Sequence, residues 1–425
     1  MFVLLSPVLL AADKRPNLLF VLADDVGQEV LGCYGGTSYK TPHLDALAAG
    51  GLRFDHGYSM PVCHPTRLTL MTGKYPFRIG AGWGKFPKDQ EATTFSSLLQ
   101  ENGYATAVAG KWQMTLLKKD PQHPARCGFD QWSLFGWHEG ARYYDPYLWE
   151  NGKLRNDLQG QYGPDRYTDF LIHFMKHSRD AGKPFLAYYS MALAHDVTDD
   201  LPNPVPYMPG KDRWQDYKEM AETMDTMLGK LIAALDELGL RKNTLILFTG
   251  DNGTASRSII RHDGRRYVRD PVSSLRDGRR IPGGKGSLKD TGTRVPLIAN
   301  WPGTIEPGGT SDQLVDCSDF LPTFCKLTGT ALPKNTKLDG RSFAGSLTGG
   351  EDPHPRTWAY AERGGKYFVR NQHWKLYNDG TLHDLRKDTS ENNGLRANAE
   401  HSPEAKAARK LLDAAQIQLG RGAKY

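Results

Sequence analysis

Cysteine is scarce in this chain: five residues in 425, at positions 33, 63, 127, 317 and 325. Their spacing fits no zinc module and rules out a disulfide-stapled scaffold. Cys317 and Cys325 are expected to share a helix, where their separation is too long for a bridge. Apart from Cys63, the cysteines are expected to be mostly buried and free, with a single bridge left open. Long apolar runs are missing too. None approaches the roughly 20 residues that a membrane helix needs, so no membrane span is expected. There is no low-complexity tract and no internal repeat. Charge of one sign is not in large excess, with 54 Lys and Arg against 48 Asp and Glu. A net charge of +6 is too weak to argue for nucleic acid, and no basic-aromatic interleaving is present. It does suit an anionic substrate. The apolar stretch Met1 to Ala12 ends in small residues. It reads as the tail of a secretory signal without its charged segment, the alternative being a buried first strand. A secreted or periplasmic protein is the expectation.

What is present is an alternation of apolar runs and amphipathic segments. Asn17 to Ala23 and Thr244 to Thr249 read as strands buried on both faces, as do Pro184 to Met191 and Val295 to Asn300. Ala105 to Ala109 reads as a shorter one. Helices are expected from Thr41-Pro42 to Gly50, from Thr94 to Asn102, over Tyr167 to His177, over Tyr217 to Leu238 and over Asp319 to Leu327. In the long one Met220, Met224, Leu228, Leu231 and Leu235 face inward. Residues 121–161 show no clear period and read as loop. This alternation predicts an α/β fold with a mostly parallel sheet flanked by helices. From about Pro353 the pattern changes to short strands at 358–362, 366–370, 374–377 and 382–385 and a helix at 404–419. The expected division is a signal remnant at 1–12, a large α/β domain at 13–350, and a small antiparallel sheet with a helix at 351–425.

Two buried strands end in acids, Asp24-Asp25 and Asp251-Asn252-Gly253. Their carboxyl ends would place these oxygens together at one sheet edge. Carboxylates so crowded call for a cation, and oxygen-only ligands favour calcium or magnesium. Between them in the chain lies Val62-Cys63-His64-Pro65-Thr66-Arg67, followed by Thr72-Gly73. Pro65 suits a first helical turn. Cys63 would then sit just before a helix N-terminus, with Arg67 one turn later, a place suited to a nucleophile that handles an anion.

The run C-x-P-[ST]-R-x-x-x-x-T-G at Cys63 resembles the signature of the formylglycine-dependent sulfatases of the alkaline phosphatase superfamily. Further segments resemble the same family: Asn17 to Asp25 with Leu31-Gly32-Cys33-Tyr34-Gly35, Ala109-Gly110-Lys111-Trp112, and Phe248 to Gly253. So do Gly284-Lys285-Gly286-Ser287 with Arg294-Val295-Pro296 and Trp301-Pro302-Gly303, and Thr381 to Leu385. The resemblance implies an alkaline-phosphatase-like fold and an arylsulfatase-like sulfuric ester hydrolase. It implies that Cys63 is converted to formylglycine by a formylglycine-generating enzyme. The hydrate attacks sulfur, an alcohol leaves, and expulsion of sulfate restores the aldehyde. Asp24, Asp25, Asp251, Asn252 and the modified Cys63 would hold calcium, magnesium being the weaker choice. Arg67 would hold the nucleophile, Lys111 and Lys285 would neutralise sulfate oxygens, and His195 would donate a proton to the leaving alcohol. Where the family usually carries histidine, two residues after Lys111, stands Gln113. Glutamine can bind substrate but cannot act as a base near neutral pH. Two other readings follow: a phosphodiester or phosphonate monoester hydrolase on the same scaffold, or a weakly active glycan-binding relative.

Between Asp251 and Lys285 lies an insert rich in arginine, including Arg257, Arg261, Arg265, Arg266, Arg269, Arg276, Arg279 and Arg280. Read as a loop tied at both ends to the site, it would bring Arg265, Arg266, Arg279 and Arg280 to bind further sulfate or carboxylate groups of a sulfated carbohydrate.

Overall fold

The computed structural model describes residues 15–80, 82–136, 139–155, 157–196, 216–262, 267–334, 336–397 and 402–422. The expected signal remnant and the pair Arg265 and Arg266 lie outside the described residues. In chain order the strands are β1 (Asn17–Ala23), β2 (Leu52–Tyr58), β3 (Ala105–Lys111), β4 (Gln131–Phe135), β5 (Leu148–Glu150) and β6 (Lys153–Arg155). Then come β7 (Phe185–Ser190), β8 (Thr244–Gly250), β9 (Arg257–His262), β10 (Tyr267–Pro271), β11 (Ser273–Arg276) and β12 (Arg279–Pro282). The last are β13 (Arg294–Asn300), β14 (Gly309–Asp316), β15 (Ala359–Arg363), β16 (Lys366–Arg370), β17 (Trp374–Tyr377) and β18 (Leu382–Asp384).

Ten of these strands form one sheet in the order β14-β2-β13-β8-β1-β7-β3-β4-β5-β6. Its centre, β8 through β4, is parallel. β13 runs antiparallel between β8 and β2, and β5 and β6 close the far edge as antiparallel strands. The apolar run of β1 is explained by burial on both faces. Leu18, Phe20 and Leu22 join one core with Phe95, Tyr188 and Phe324, whereas Leu19, Val21 and Ala23 join the other with Leu171, Met224 and Leu228. Helix Phe95–Glu101 starts at Thr94, whose side chain accepts from Ser97 N. Helices Gly163–Asp180 and Tyr217–Glu237 cover the opposite face.

β15 to β18 form a separate four-stranded antiparallel sheet, followed by helix Pro403–Leu419. Phe368, Leu376 and Leu412 pack into the same core as Leu18 and Phe20. Arg356 adds a buried polar tie, bonded to Asp319 at 2.5 Å and to Asp316 at 3.0 Å.

Three expectations are corrected. Residues 121–161 are not all loop: they hold a short helix, His123–Arg126, and strands β4 to β6. Cys317 does not share a helix with Cys325, because it precedes helix Phe320–Thr328. The arginine-rich insert is not a loop but two antiparallel pairs, β9–β10 and β11–β12. All five cysteines are free, and Cys33 is only half-buried. Among the described residues no helix is long and apolar enough to cross a membrane.

Candidate active site

Sheet register assembles the site. Ala23 of β1 pairs with Gly250 of β8, so the next residues, Asp24 and Asp251, leave the sheet side by side. Asp251 N donates to Ala23 O at 2.9 Å, and Asp25 N donates to an Asp251 carboxylate oxygen at 3.3 Å. On the other side of β1, Leu22 pairs with Ser190 of β7, and Ser190 pairs with Gly110 of β3. Lys111 follows directly. Gly110 is required here: its φ is 101° and a Cβ would stand 2.1 Å from Ser190 O.

Cys63 does not precede a helix; it opens one, Cys63–Thr72, with Val62 as a cap that offers no side-chain bond. Arg67, one turn on, is fully buried and grips Asp251 with two bonds, at 2.7 and 3.1 Å. It also donates to Lys111 O at 3.3 Å and to Ser190 Oγ. Lys111 donates to Asp24, and Lys285 Nζ lies 2.7 Å from Asp25 Oδ1. Three buried carboxylates thus face three cations. Burial would raise Asp24, but Lys111 and Arg67 hold it well below the usual carboxylate range. Burial pushes Asp25 up against Lys285. Burial and the charge of Asp24 push Asp251 up against Arg67.

These residues fit a hard cation. Asp24 Oδ1 and Asn252 Oδ1 are buried with no hydrogen-bond partner, while Asn252 Nδ2 donates to Asp25 at 2.8 Å. Two groups of metal-competent atoms lie within 4.8 Å of one another: Asp24, Cys63 and Asp251, and Asp24, Asp25 and His195. Unpartnered oxygens crowded in this way are what a calcium or magnesium ion satisfies.

His195 sits just beyond β7, its Nε2 3.9 Å from Asp25 and its Nδ1 2.8 Å from Asp196 O. Burial and Lys285 push it well below the ordinary imidazole range, so the ring is neutral. Gln113 is buried at φ 50°, a left-handed backbone uncommon for its type, and its Oε1 has no partner. Its carbonyl meets Nδ1 of His64 at 2.8 Å. Asp25 is also left-handed, at φ 60°. Of the arginines expected at the site, Arg279 and Arg280 stand on β12 and line a separate cleft whose lining holds none of this cluster's residues.

Sequence reasoning missed His64 and Ser190. His64 braces Gln113, and Ser190 links Arg67 to Lys111 by accepting from the guanidinium and donating to Lys111 O at 2.5 Å. Ser190 carried one legible signal, its place at the end of a buried strand.

The Sulfatase family profile matches residues 16–330. A profile described as N-sulphoglucosamine sulphohydrolase, C-terminal, matches 284–418. Arylsulfatase A of Bos taurus is 30% identical over 96% of this chain and 89% of its own. N-acetylglucosamine-6-O-sulfatase of Bacteroides thetaiotaomicron is 27% identical over 95% and 87%. Among solved structures, Ps i-CgsB in complex with k-i-k-neocarrahexaose superposes with a TM-score of 0.75 at 27% identity, covering 96% of this chain and 94% of that one. With the family profile matched over most of the chain and a relative 30% identical over 96% of it, this chain belongs to the sulfatase family and is a sulfuric ester hydrolase.

Proposed function

We propose that the chain hydrolyses a sulfate ester on a sulfated glycan, with Cys63 matured to formylglycine by a formylglycine-generating enzyme and with calcium at Asp24, Asp25, Asp251 and Asn252. The observation that carries this reading is the convergence of Cys63, Arg67, Lys111 and Lys285 on the same three carboxylates. The modified Cys63 supplies the nucleophile, and the cation when bound supplies Lewis-acid polarisation of a sulfate oxygen. Arg67 fixes Asp251 and the start of the nucleophile helix against it. Lys111 and Lys285, each able to turn from a carboxylate once a cation neutralises it, meet the sulfate oxygens. His195 Nδ1 donates to Asp196 O, which leaves Nε2 facing the site, and an arriving sulfate favours its charged form for protonating the leaving alcohol. Gln113 orients substrate by hydrogen bonding through its unpartnered amide oxygen. The relative named for N-acetylglucosamine-6-O-sulfate and the neighbour that holds a neocarrahexaose support a sugar as the leaving alcohol. Export to the periplasm or medium, and a division into units at 13–350 and 351–425, belong to the same proposal.

A panel of aryl sulfate, sugar sulfate, aryl phosphate and phosphonate monoester tests it. Sulfates should be turned over fastest, and Cys63→Ala should abolish turnover while the fold is kept. Faster phosphonate hydrolysis would move the chain to the other hydrolase class, and a Cys63→Ala variant that keeps activity would remove the nucleophile.

A further inference from the structure

We propose that the cleft between the β11–β12 hairpin and the C-terminal sheet is a second oxyanion site, which takes further sulfate or carboxylate groups of a polyanionic sugar chain whose scissile sulfate lies at Cys63. The inference deepens the glycan reading above and rests on it.

The cleft has a volume of 810 Å³ and contains none of the catalytic side chains. Its cations fall into two sets. Arg370 and Arg386 are paired with Asp290 at 2.7 Å and Asp384 at 2.9 Å, and Arg276 and Arg294 more loosely with Asp277 at 3.8 Å and Asp290 at 3.9 Å. Arg279, Arg280 and Lys289 are not: among the described residues no carboxylate lies within ion-pair distance of them. Arg280 Nε donates only to Ser273 Oγ, at 2.9 Å. Lys289 Nζ donates to Ser390 O at 2.7 Å and Asn392 Oδ1 at 3.0 Å. The acids of the lining do little to cancel this surplus. Asp290 is already shared by Arg370 and Lys375. Glu29 is buried, and burial pushes its carboxyl up towards the neutral form. Asp277 is exposed.

The cleft lies within reach of the site. Gln28 in its wall is three residues from Asp25, and Pro282 is three residues from Lys285, so neither separation exceeds roughly 11 Å along the chain. Arg294, also in the lining, begins β13 beside Tyr58 at the end of β2, on the sheet edge that carries Asp24 and Asp251. A few sugar rings cover that span. Arginine's planar fork binds oxyanions bidentately. Among the described residues the lining holds no aromatic ring, the platform on which single-stranded nucleic acid stacks, so a sulfated or carboxylated sugar chain fits better than a nucleic acid.

The test measures binding, by calorimetry, to the full chain carrying Cys63→Ala. The probes are a highly sulfated heparin tetrasaccharide, its desulfated counterpart and a single-stranded oligonucleotide of equal charge. Arg279→Ser with Arg280→Ser should weaken tetrasaccharide binding about tenfold at physiological salt, two exposed ion contacts being lost. Lys183→Ser with Lys242→Ser removes the same charge at the opposite sheet edge, before β7 and β8, and should change it little. The desulfated probe should bind far more weakly. Equal losses in both double variants, no loss in either, no tetrasaccharide binding, or oligonucleotide binding of equal strength and sensitivity would each overturn the proposal. Aryl sulfate hydrolysis by the unsubstituted chain tests the Cys63 site independently of this cleft.

Discussion

Arg67 is fully buried, and its strongest bonds run to Asp251 rather than to Cys63. Removing one partner of a buried ion pair leaves an uncompensated charge, at a cost of about 3–5 kcal/mol. Arg67→Ala should therefore lose that much stability by denaturant unfolding in excess chelator, where no cation takes the guanidinium's place. A loss under about 1 kcal/mol would show that Asp251 is already neutral there. A second residue sets a pH limit. Burial pushes His123 down to about 4, with Glu91 opposing, and Trp112 Nε1 donates to its Nδ1 at 3.1 Å. The unfolded chain then binds a proton that the folded chain refuses. The stability this gives is complete above pH ~6.5 and falls as pH drops towards 4, by roughly 3 kcal/mol in all. His56, pushed to about 3 mainly by burial, adds to the same slope. His123→Gln should flatten the decline between pH 6.5 and 4; an unchanged slope would contradict the assignment.

At the scale of elements, the ends of β1 and β8 are where sequence and structure agree best. An apolar run that stops at Asp24-Asp25 and another that stops at Asp251-Asn252 were legible because strands buried on both faces have no polar positions until they leave the sheet. Register then did what sequence could not, setting Asp24 beside Asp251 and Ser190 beside Gly110. β5 and β6 were illegible because three residues are too few to show a period. The insert was misread because alternation in β9 to β12 is masked by arginines. The strand ends also carry a prediction. A cation that binds the folded site at a hundred times its dissociation constant adds about 2.7 kcal/mol. Chelation should therefore lower the melting temperature as well as remove activity, and calcium should restore both. An unchanged melting temperature with no metal retained by elemental analysis would remove the cation from the account.

The whole molecule puts Cys63, its buried carboxylates and a cation-rich cleft along one edge of a single large sheet. A small second sheet shares the main core and walls the cleft through Arg370 and Arg386. The short strands of the last sheet were legible from the change of pattern after about Pro353, but the shared core was not, because contact between distant segments leaves no local period. His64 was equally hidden: nothing in Cys63-His64-Pro65 says that the ring turns to the carbonyl of Gln113. The chemistry of this edge depends on what Cys63 becomes. The most direct measurement is the mass of the peptide containing Cys63, taken from protein made in its native host. The account predicts the aldehyde, with CHO in place of CH2SH. Unmodified cysteine in protein that hydrolyses sulfate esters would contradict it.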